Sequence, residues 1–487
     1  MSNGCSWPPE KAKSRLPMVV DLDGTLLVGD VLWESLSSLA AQKSRLLLMI
    51  PAWLLGGKSG FKRKLAEAVS LDPAGLLFRP ELLEYIRGER EAGRKAYLAT
   101  ATDVLAARAI AGHLKLFDGV LGSQPGSNLR GEAKLRAISG LLEGEEFEYI
   151  GDSFADAPIF EKAARRVLVC PSPALLRSVA AKRPVEGVLP APRRSIRVWL
   201  QQLRVRQWAK NLLLALPPML AHKVPDAELS IRILAALTGF SLAASSVYIM
   251  NDFLDLSKDR RNPEKRARPL ASGAVGVPEA LLAAAALCAA AFSISRLLLP
   301  PMFSWGLGVY LAANVLYSLD LKRRLLIDVI LLASFYMLRL FLGGIATDTP
   351  VSRWLLVFGL FFFQSLAFVK RYVESRIHHE EDPRNFGGRG YWASDFQILL
   401  VVGPVSGYIS LLVLSLYVND NSTRVLYPSP DFLWIICVAL MYWLTRIWFL
   451  ANRKQLPQDP VLFAFSDWRS YVVGAISAAA VVAASRG

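Results

Sequence analysis

The sequence contains few cysteines, and their positions exclude two classes of protein. Its 487 residues include four cysteines, which lie far apart and form neither a CxxC pair nor a cluster with histidine. A disulfide scaffold and a cysteine-rich metal centre are therefore excluded. Disorder is excluded as well, because 53% of the residues are apolar and can form a core. The length, about three times that of a typical domain, indicates more than one domain.

Long apolar runs are absent before about residue 200 and frequent after it. The carboxyl-terminal part therefore predicts an all-α bundle of about nine transmembrane helices. The candidate spans are 211–222, 230–250, 278–299, 301–318, 325–347, 352–369, 397–418, 430–451 and 470–486. The first of these is short and contains Pro217 and Pro218.

The net charge of +15 is explained by membrane topology. With residue 200 in the cytoplasm, the inner loops hold roughly twenty basic residues and the outer loops about four. Nucleic-acid binding is therefore not indicated. Residues 1–17 show no secretory signal, so we expect the amino-terminal domain to stay in the cytoplasm. The expected protein is a multi-pass protein of the cytoplasmic membrane. Whether it forms a homo-oligomer is left open.

Composition divides the chain into three segments. Residues 1–170 alternate charged and short apolar stretches and predict a soluble α/β domain, in which residues 30–90 separate the first two polar motifs described below and are expected to form a helical cap. Residues 171–200 are rich in proline and arginine and predict a linker along the membrane surface. Residues 201–487 form the membrane domain.

Within the cap, the apolar stretch Leu46–Leu55 has two interpretations. It is too short to span a bilayer and is flanked by basic residues. One interpretation is a core helix of the cap, and the other is a segment that dips into the membrane surface.

Polar residues follow three predicted strands of the soluble domain. Asp21 and Asp23 end the first strand, Thr100 the second and Asp152 the third. Lys134 begins a helix between the second and third strands. Because an open α/β sheet binds ligands at the carboxyl ends of its strands, we expect these residues to form one site.

The motifs around these residues and Asp156 resemble those of the haloacid dehalogenase (HAD) superfamily, over about residues 18–170. The resemblance implies a Rossmann-like sheet and an aspartyl phosphohydrolase, with Asp21 as nucleophile and Asp23 as general acid and base. The remaining roles are phosphoryl-oxygen binding by Thr100 and Lys134, and Mg²⁺ binding by Asp152 and Asp156 together with Asp21. A carboxylate attacks an anionic phosphate only where cations screen the repulsion, which is consistent with this set of residues.

A second acidic motif lies at the predicted cytoplasmic end of the second span. On a continuous helix, the spacing places Asp252, Asp255 and Asp259 on one face. Carboxylates so close together repel one another, and oxygen ligands at this spacing suit Mg²⁺. Phosphate-binding cations follow, namely Lys265, Arg266 and Arg268.

Two further polar segments lie at predicted inner ends of spans. One contains Tyr317 and Lys322, followed by Asp328, and the other contains Lys370 and Glu374. The next span also carries Arg339, and an arginine in hydrocarbon normally faces a polar cavity. We expect all these groups to converge on one cytoplasmic site.

The pattern NDxxDxxxDxxNPxKxxRP, with the later YSxxLKRxxxxD, resembles the UbiA superfamily of intramembrane prenyltransferases. The 206–211 segment and the Lys370–Glu374 segment are similar to the decaprenyl-phosphate phosphoribosyltransferase branch. Those enzymes join a polyprenyl phosphate to 5-phosphoribosyl 1-diphosphate (PRPP) and release diphosphate. Aromatic prenyltransferases carry a second acidic motif where this chain has Lys370–Glu374, which favours a lipid monophosphate or ribosyl 5-phosphate as second ligand.

The resemblance implies a role for each residue of the membrane site. Asp252, Asp255 and Asp259 bind Mg²⁺ on the diphosphate, and Asn251 orients a ligand. The phosphate-binding residues are Lys265, Arg266, Arg268, Lys322 and Lys370. Asp328 and Glu374 are candidate partners of these cations, and Tyr317 is either a ligand or an interfacial anchor.

Three functions remain open from the sequence. The first is phosphoribosyl transfer to polyprenyl phosphate, with a fused phosphatase that removes the 5-phosphate of the product. The second is transfer of a polyprenyl group from its diphosphate to an aromatic or other small acceptor. The third is a membrane-anchored phosphatase whose spans serve as a scaffold.

Overall fold

The computed structural model describes Trp7, Pro9 and residues 16–191, 195–378, 390–457 and 459–486. It divides into two compact units. The first consists of Met1–Gln202 and Ile249–Leu282, and the second of Leu203–Tyr248 and Ala283–Gly487. The first unit thus combines the predicted soluble domain with the segment that carries the acidic motif of the membrane domain.

A six-stranded parallel sheet forms the core of the first unit, with strand order β3-β2-β1-β4-β5-β6. The central strand β1 is buried along its whole length, which accords with its continuous apolar sequence. The α/β fold predicted from the sequence is confirmed. The strands are β1 Met18–Val20, β2 Ala96–Asp103, β3 Gly119–Ser123, β4 Glu148–Gly151, β5 Arg165–Val169 and β6 Gly187–Leu189.

Among the described residues, nine helices accompany this sheet. They are α1 Val31–Gln42, α2 Ile50–Leu54, α3 Gly57–Ala68, α4 Pro80–Glu91, α5 Val104–Leu114, α6 Glu132–Leu141, α7 Ala157–Lys162, α8 Pro173–Lys182 and α9 Ile196–Gln202. Short 3₁₀ helices lie at Ser44–Met49, Pro73–Gly75 and Phe154–Asp156.

The cap is shorter than the predicted 30–90. Helices α1 to α3 share a small core of their own that includes Leu39, Trp53 and Leu65. In α4, by contrast, Leu82 and Ile86 are buried in the cluster that covers the sheet. Helix α4 therefore belongs to the α/β layer, because its apolar stripe faces the strands.

The segment predicted as a linker at 171–200 contains regular structure. Helix α8 buries Leu175 and Val179, and β6 pairs with β5 in register Leu168↔Val188. The sheet domain therefore extends to Leu189 rather than ending near residue 170. The proline-rich composition obscured a strand of three residues, and residues 192–194 lie outside the described part of the chain.

The second unit and the segment that joins it to the first contain the membrane helices. In the described part of the chain, eight helices are long and apolar enough to cross a bilayer. They are α11 Ala227–Leu254, α13 Val277–Leu298, α14 Pro301–Leu319, α15 Ile327–Ala346, α16 Arg353–His378, α17 Phe396–Val418, α19 Trp434–Asn452 and α21 Trp468–Arg486. The predicted multi-span bundle is confirmed, and the protein is integral to a membrane.

The ninth predicted span, 211–222, is not a long helix. It consists of the 3₁₀ helix Val205–Ala215 and the short α10 Leu216–Leu220, because Pro217 and Pro218 restrict the backbone there. The other short helices of the membrane part are α12 Leu256–Arg261, α18 Asn421–Leu426 and α20 Pro460–Ala464, with 3₁₀ helices at Leu321–Arg323, Ala393–Asp395 and Pro430–Leu433.

Small residues bring helices of the second unit into close contact. A Cβ atom at Gly343 would lie 2.2 Å from the backbone oxygen of Leu214, and one at Gly403 would lie 2.1 Å from the Trp448 ring. Such positions accept only glycine, which is typical of helix packing in membranes.

Candidate functional site

The strand ends of the α/β domain bring Asp21, Lys134 and Asp156 together. Asp21 directly follows β1, and its backbone N–H donates to the oxygen of Ile150 in β4. The Lys134 Nζ atom lies 2.7 Å from Asp21 Oδ1 and 3.2 Å from Asp156 Oδ1. All three side chains are buried, so this lysine screens the carboxylates from one another.

A third carboxylate, Asp152, completes a group that suits a divalent cation. Asp21, Asp152 and Asp156 each offer an oxygen within 4.8 Å of the others, and among the described residues they form the one group of three or more such ligands. Thr25 Oγ1 donates to Asp152 Oδ1 at 3.1 Å. Gly24 has φ +75°, and a Cβ atom there would lie 2.2 Å from Asp152 Oδ2, so the approach requires glycine.

Asp23, the predicted acid and base, points into a different set of contacts. Its Oδ1 accepts from the backbone N–H of Val31 at 2.8 Å, and its Oδ2 accepts from Thr102 Oγ1 at 2.7 Å. Thr100 Oγ1 lies 3.3 Å from the same Oδ2. These donors hold the carboxyl group in one orientation at the mouth of the cap, because Val31 begins α1.

Burial shifts the pKa values of the ionisable side chains at this site. It raises the pKa of Asp21 to about 7, against the opposing effect of Lys134. It raises the pKa of Asp152 to about 7 and that of Asp23 to about 6. Burial alone would lower the pKa of Lys134, but Asp21 and Asp156 outweigh it and raise that pKa. Such a set of carboxyl groups is short of positive charge, which a divalent cation would supply.

Sequence reasoning missed one residue of this site and left another without a role. The hydroxyl group of Tyr149 in β4 accepts a hydrogen bond from Lys134 Nζ at 2.7 Å. Tyr149 lies between Glu148 and Ile150 in the strand, and nothing in its spacing set it apart. Thr102, which binds Asp23, was visible two residues after Thr100 on the same face of β2.

The acidic motif of the first unit is bridged by an arginine. Arg268 Nη1 lies 3.1 Å from Asp252 Oδ1 and 2.6 Å from Asp259 Oδ2. Gln202 Nε2 donates to the other Asp252 oxygen at 3.1 Å. Both aspartates are buried, and Arg268 supplies the positive charge that offsets their repulsion.

The expected continuous helix through this motif is interrupted. Helix α11 ends at Leu254, Asp255 has φ −100° and ψ 10°, and α12 begins at Leu256. Asp255 is half-buried, as are Asn251, Lys265 and Arg268, whereas Arg266 is exposed.

In the second unit, Arg371 is the centre of the polar cluster. Its guanidinium contacts Asp328 and Glu374 and donates to the hydroxyl of Tyr317 at 3.2 Å. Tyr391 OH donates to Asp328 Oδ1 at 2.8 Å. The sequence pointed to Lys370 and Lys322 as the cations here. Arg371 directly follows Lys370, and the sequence did not show which of the two cations contacts the acids.

Lys370 belongs to a neighbouring cluster that sequence analysis did not identify. Lys210 Nζ lies 2.5 Å from Asp459 Oδ2. Burial alone would raise the pKa of Asp459, but Lys210 and Lys370 outweigh it and lower that pKa. Lys322 is half-buried in its 3₁₀ helix. The Lys210–Asp459 pair joins residues 249 positions apart, so no local spacing indicates it.

Arg339, expected to face a polar cavity, is paired within the bundle. Its Nε donates to Asn211 Oδ1 at 2.9 Å and its Nη1 to the oxygen of Phe335 at 2.7 Å. The guanidinium also lies 4.8 Å from the centre of the Phe240 ring. Asn211 in turn donates to Ser241 Oγ at 2.9 Å, which satisfies this charge inside the membrane.

Two family models match the chain. One, described as the UbiA prenyltransferase family, matches residues 212–468, and the other, described as haloacid dehalogenase-like hydrolase, matches residues 18–161. The protein is therefore an integral-membrane enzyme with a fused α/β hydrolase domain. More particularly, the chain belongs to the UbiA prenyltransferase family, and its amino-terminal part is a HAD-like domain.

Related proteins match over different lengths. The uncharacterized protein y4nM of Sinorhizobium fredii is 35% identical over 475 residues, which cover 96% of this chain and 91% of that protein. The nodulation protein NoeC of Azorhizobium caulinodans is 30% identical over 56% of this chain and 89% of its own length. The decaprenyl-phosphate phosphoribosyltransferase of Mycolicibacterium smegmatis is 33% identical over 190 residues, 38% of this chain and 59% of that enzyme.

Proposed function

We propose that this enzyme joins a polyprenyl phosphate to PRPP in an Mg²⁺-dependent reaction at the cytoplasmic side of the membrane. The observation that carries the proposal is the contact of Arg371 with both Asp328 and Glu374. A second metal-bound diphosphate needs carboxylates in this region, and Arg371 already neutralises the two acids. The remaining cation of the motif, Lys370, suits a phosphate monoester.

The first acidic motif is assigned to the diphosphate of PRPP. Asp252, Asp255 and Asp259 are the ligands that would hold Mg²⁺, which stabilises negative charge on the departing diphosphate. Arg268 now neutralises two of these carboxylates, and it is placed to contact phosphate oxygens once a metal takes over that role. Asn251 would orient a ligand, and Lys265 and Arg266 would add cationic contacts.

The transfer step needs little proton movement. An anionic oxygen of the lipid phosphate attacks C1 of the ribose, the C1–O bond to diphosphate breaks, and the electron pair leaves with diphosphate. Catalysis therefore rests on positioning and on charge stabilisation. In the second motif, Lys322 and Lys370 would hold the lipid phosphate, and Tyr317, which accepts from Arg371, would fix the orientation of that guanidinium.

The hydrolase domain is assigned to the 5-phosphate of the transfer product. Asp21 would attack phosphorus while Asp23 gives a proton to the departing ribose oxygen, and Asp23 would then take a proton from the water that hydrolyses the aspartyl-phosphate. Lys134 already holds Asp21, and Thr100 lies beside Asp23. Fusion in one chain raises the local concentration of the product at this second site.

A second candidate, transfer of a polyprenyl group from its diphosphate to a small acceptor, is favoured by the family description. Purified enzyme in lipid nanodiscs separates the two candidates. Radiolabelled PRPP with polyprenyl phosphate and Mg²⁺ should give a labelled lipid, whereas labelled prenyl diphosphate with candidate acceptors should not. Labelled lipid from the second mixture alone would contradict the proposal.

Variants assign each half of the reaction. Asp252→Asn with Asp255→Asn should abolish lipid labelling, and Asp21→Asn should leave a product that retains one additional phosphate, detectable by mass spectrometry. Asp320→Asn is the matched control, because Asp320 is an exposed inner-loop acid paired with Arg324. Full lipid labelling by the Asp252 and Asp255 variant would contradict the assignment of the acidic motif, whereas phosphate release without lipid labelling by wild type would indicate a membrane-anchored phosphatase.

A further inference from the structure

The cap helix α1 makes a buried ion pair with the segment that carries the acidic motif. Arg260 Nη1 donates to Glu34 Oε2 and Arg260 Nη2 to Glu34 Oε1, each at 2.8 Å. The side chains are 9% and 4% exposed. A two-point contact between guanidinium and carboxylate fixes both direction and distance, and its burial shields it from screening by salt.

A second contact with the same segment comes from Ser37, which lies one turn after Glu34 on α1. Ser37 Oγ, also on α1, donates to the backbone oxygen of Phe253 at 2.7 Å, and the Trp33 ring lies edge-on to the Phe253 ring. Phe253 belongs to the last turn of α11. One helix of the hydrolase cap therefore binds both the end of α11 and the short helix α12 that follows it.

A third set of contacts holds the carboxyl-terminal end of this segment, near Gly273. Gly273 has φ +74°, and a Cβ atom there would lie 2.4 Å from a methyl group of Val28. Arg260 Nε also donates to the backbone oxygen of Ala271 at 3.1 Å. The segment from Phe253 to Gly273 is thus held at its beginning, middle and end.

These contacts adjoin the predicted metal ligands. Phe253 follows Asp252, and Arg260 follows Asp259, while Arg268 joins the two aspartates. From this adjacency we propose that Glu34 is a positioning residue of the transferase, and that the hydrolase cap sets the geometry of the acidic motif through the Glu34–Arg260 pair. The domain that carries one active site is then a structural part of the other.

The inference rests on the proposed function in one respect, namely that the acidic motif binds the metal used in transfer. It goes beyond that function because a hydrolase fused only for proximity needs no buried contact with this segment. Groups that orient metal ligands typically change metal affinity by about 10- to 100-fold when they are removed. Loss of the Glu34 charge should therefore change metal dependence more than it changes folding.

The test compares Glu34→Gln with Asp72→Asn in the full-length enzyme. Asp72 pairs with Arg261, the neighbour of Arg260, but both side chains are more than half exposed. Glu34→Gln should raise the Mg²⁺ concentration for half-maximal transfer about tenfold. Asp72→Asn should leave it within about twofold of wild type, as is typical of an exposed ion pair. Arg260→Lys, which keeps the charge and loses the two-point contact, should give an intermediate value.

A second measurement does not depend on the transfer reaction. Residues 258–268 contain five basic side chains after which trypsin cleaves, namely Lys258, Arg260, Arg261, Lys265 and Arg266, while Pro269 protects the bond after Arg268. Glu34→Gln should accelerate cleavage within this loop at least several-fold over Asp72→Asn, with the other sites unchanged. If wild type transfers nothing from PRPP, the proposed function fails, and the cleavage rates still decide whether Glu34 holds the loop.

Two results would overturn the inference. One is a Glu34→Gln enzyme with wild-type Mg²⁺ dependence and wild-type resistance to trypsin. The other is faster cleavage with unchanged Mg²⁺ dependence, which would make the pair a fold contact with no role in the transferase site. If Glu34→Gln does not fold, Glu34→Asp and Arg260→Lys give the same comparison with smaller disturbance.

Discussion

The guanidinium of Arg371 contacts the carboxylate of Asp328, and neither side chain is exposed. A buried charge is costly unless it is paired, and this pair is reinforced by Glu374 on the same helix as Arg371. The cluster therefore fixes α16 against the start of α15.

Arg371→Gln should destabilise the protein by about 3–5 kcal/mol, because it leaves the buried Asp328 and the half-buried Glu374 without their cation. Transfer should fall with it. The measurement is the unfolding temperature in detergent together with lipid labelling. Arg324→Gln, which breaks an exposed pair with Asp320, is the control and should have almost no effect. Equal stability of the two variants would show that the Arg371 cluster contributes little.

Lys134 and the three carboxylates around it predict opposite effects on metal binding and catalysis. Lys134→Gln removes a buried positive charge next to Asp21 and Asp156, so Mg²⁺ should bind more tightly. Phosphate release should nevertheless fall about 100-fold or more, because the charge that stabilises the transferred phosphoryl group is lost.

Mg²⁺ binding beside Lys134 is measured as the rise in unfolding temperature on adding Mg²⁺. The measurement uses an Asp252→Asn background, which weakens Mg²⁺ binding by the acidic motif of the membrane domain. A ligand at about 100 times its Kd stabilises the folded state by roughly 2.7 kcal/mol. Lys134→Gln should enlarge this rise and Asp152→Asn should reduce it. A smaller rise in Lys134→Gln would contradict the electrostatic account.

Most of the hydrolase site was predictable because its residues directly follow strands. Asp21 and Asp152 are adjacent to β1 and β4, and parallel strands end at one edge of a sheet. Tyr149 was not predictable, since a single tyrosine inside a strand has no distinguishing pattern. The membrane-domain motifs were also visible as local spacings, but the break at Asp255 was not, because helical spacing does not reveal where a helix stops.

Pairs between distant positions account for the rest of what sequence analysis missed. Glu34 and Arg260 are 226 residues apart, and neither is unusual in its own segment. Only the folded chain shows that they meet. The strand β6 was missed for a different reason, because three residues in a proline-rich segment give too short a pattern to indicate a strand.

The apolar stretch of the cap contains both buried and exposed side chains. Trp53 packs in the cap core, whereas Leu48 and Leu55 are 84% and 90% exposed. Helix α1 of the same cap contacts Phe253 at the end of a helix long enough to span a bilayer. Basic residues flank the stretch, as the interpretation of a segment at an anionic membrane surface requires.

Leu48→Ser with Leu55→Ser should therefore slow phosphate release from a lipid-linked substrate in anionic nanodiscs about tenfold. Release from a short water-soluble analogue should remain at the wild-type rate, because both side chains are outside the cap core. The control is Leu141→Ser, which changes an exposed leucine of α6. Equal loss with both substrates would mean that the two leucines act through the fold of the cap.

The pair formed by Lys210 and Asp459 predicts how stability depends on pH. The lowered pKa of Asp459 means that its stabilising contribution is complete above its unfolded value of 3.8 and is lost as pH falls through the lower folded value. The pKa of Lys210 is raised, so its contribution is complete below pH 10.5 and is lost only at higher pH.

Asp459→Asn should lower the free energy of unfolding by about 2 kcal/mol at pH 7. Relative to wild type, the deficit should shrink below about pH 4, where wild type loses the same charge. Thermal unfolding in detergent from pH 3 to 8 measures this difference, with Asp431→Asn, an exposed acid outside the pair, as control. A deficit that stays constant down to pH 3 would show that the carboxylate charge of Asp459 does not stabilise the fold.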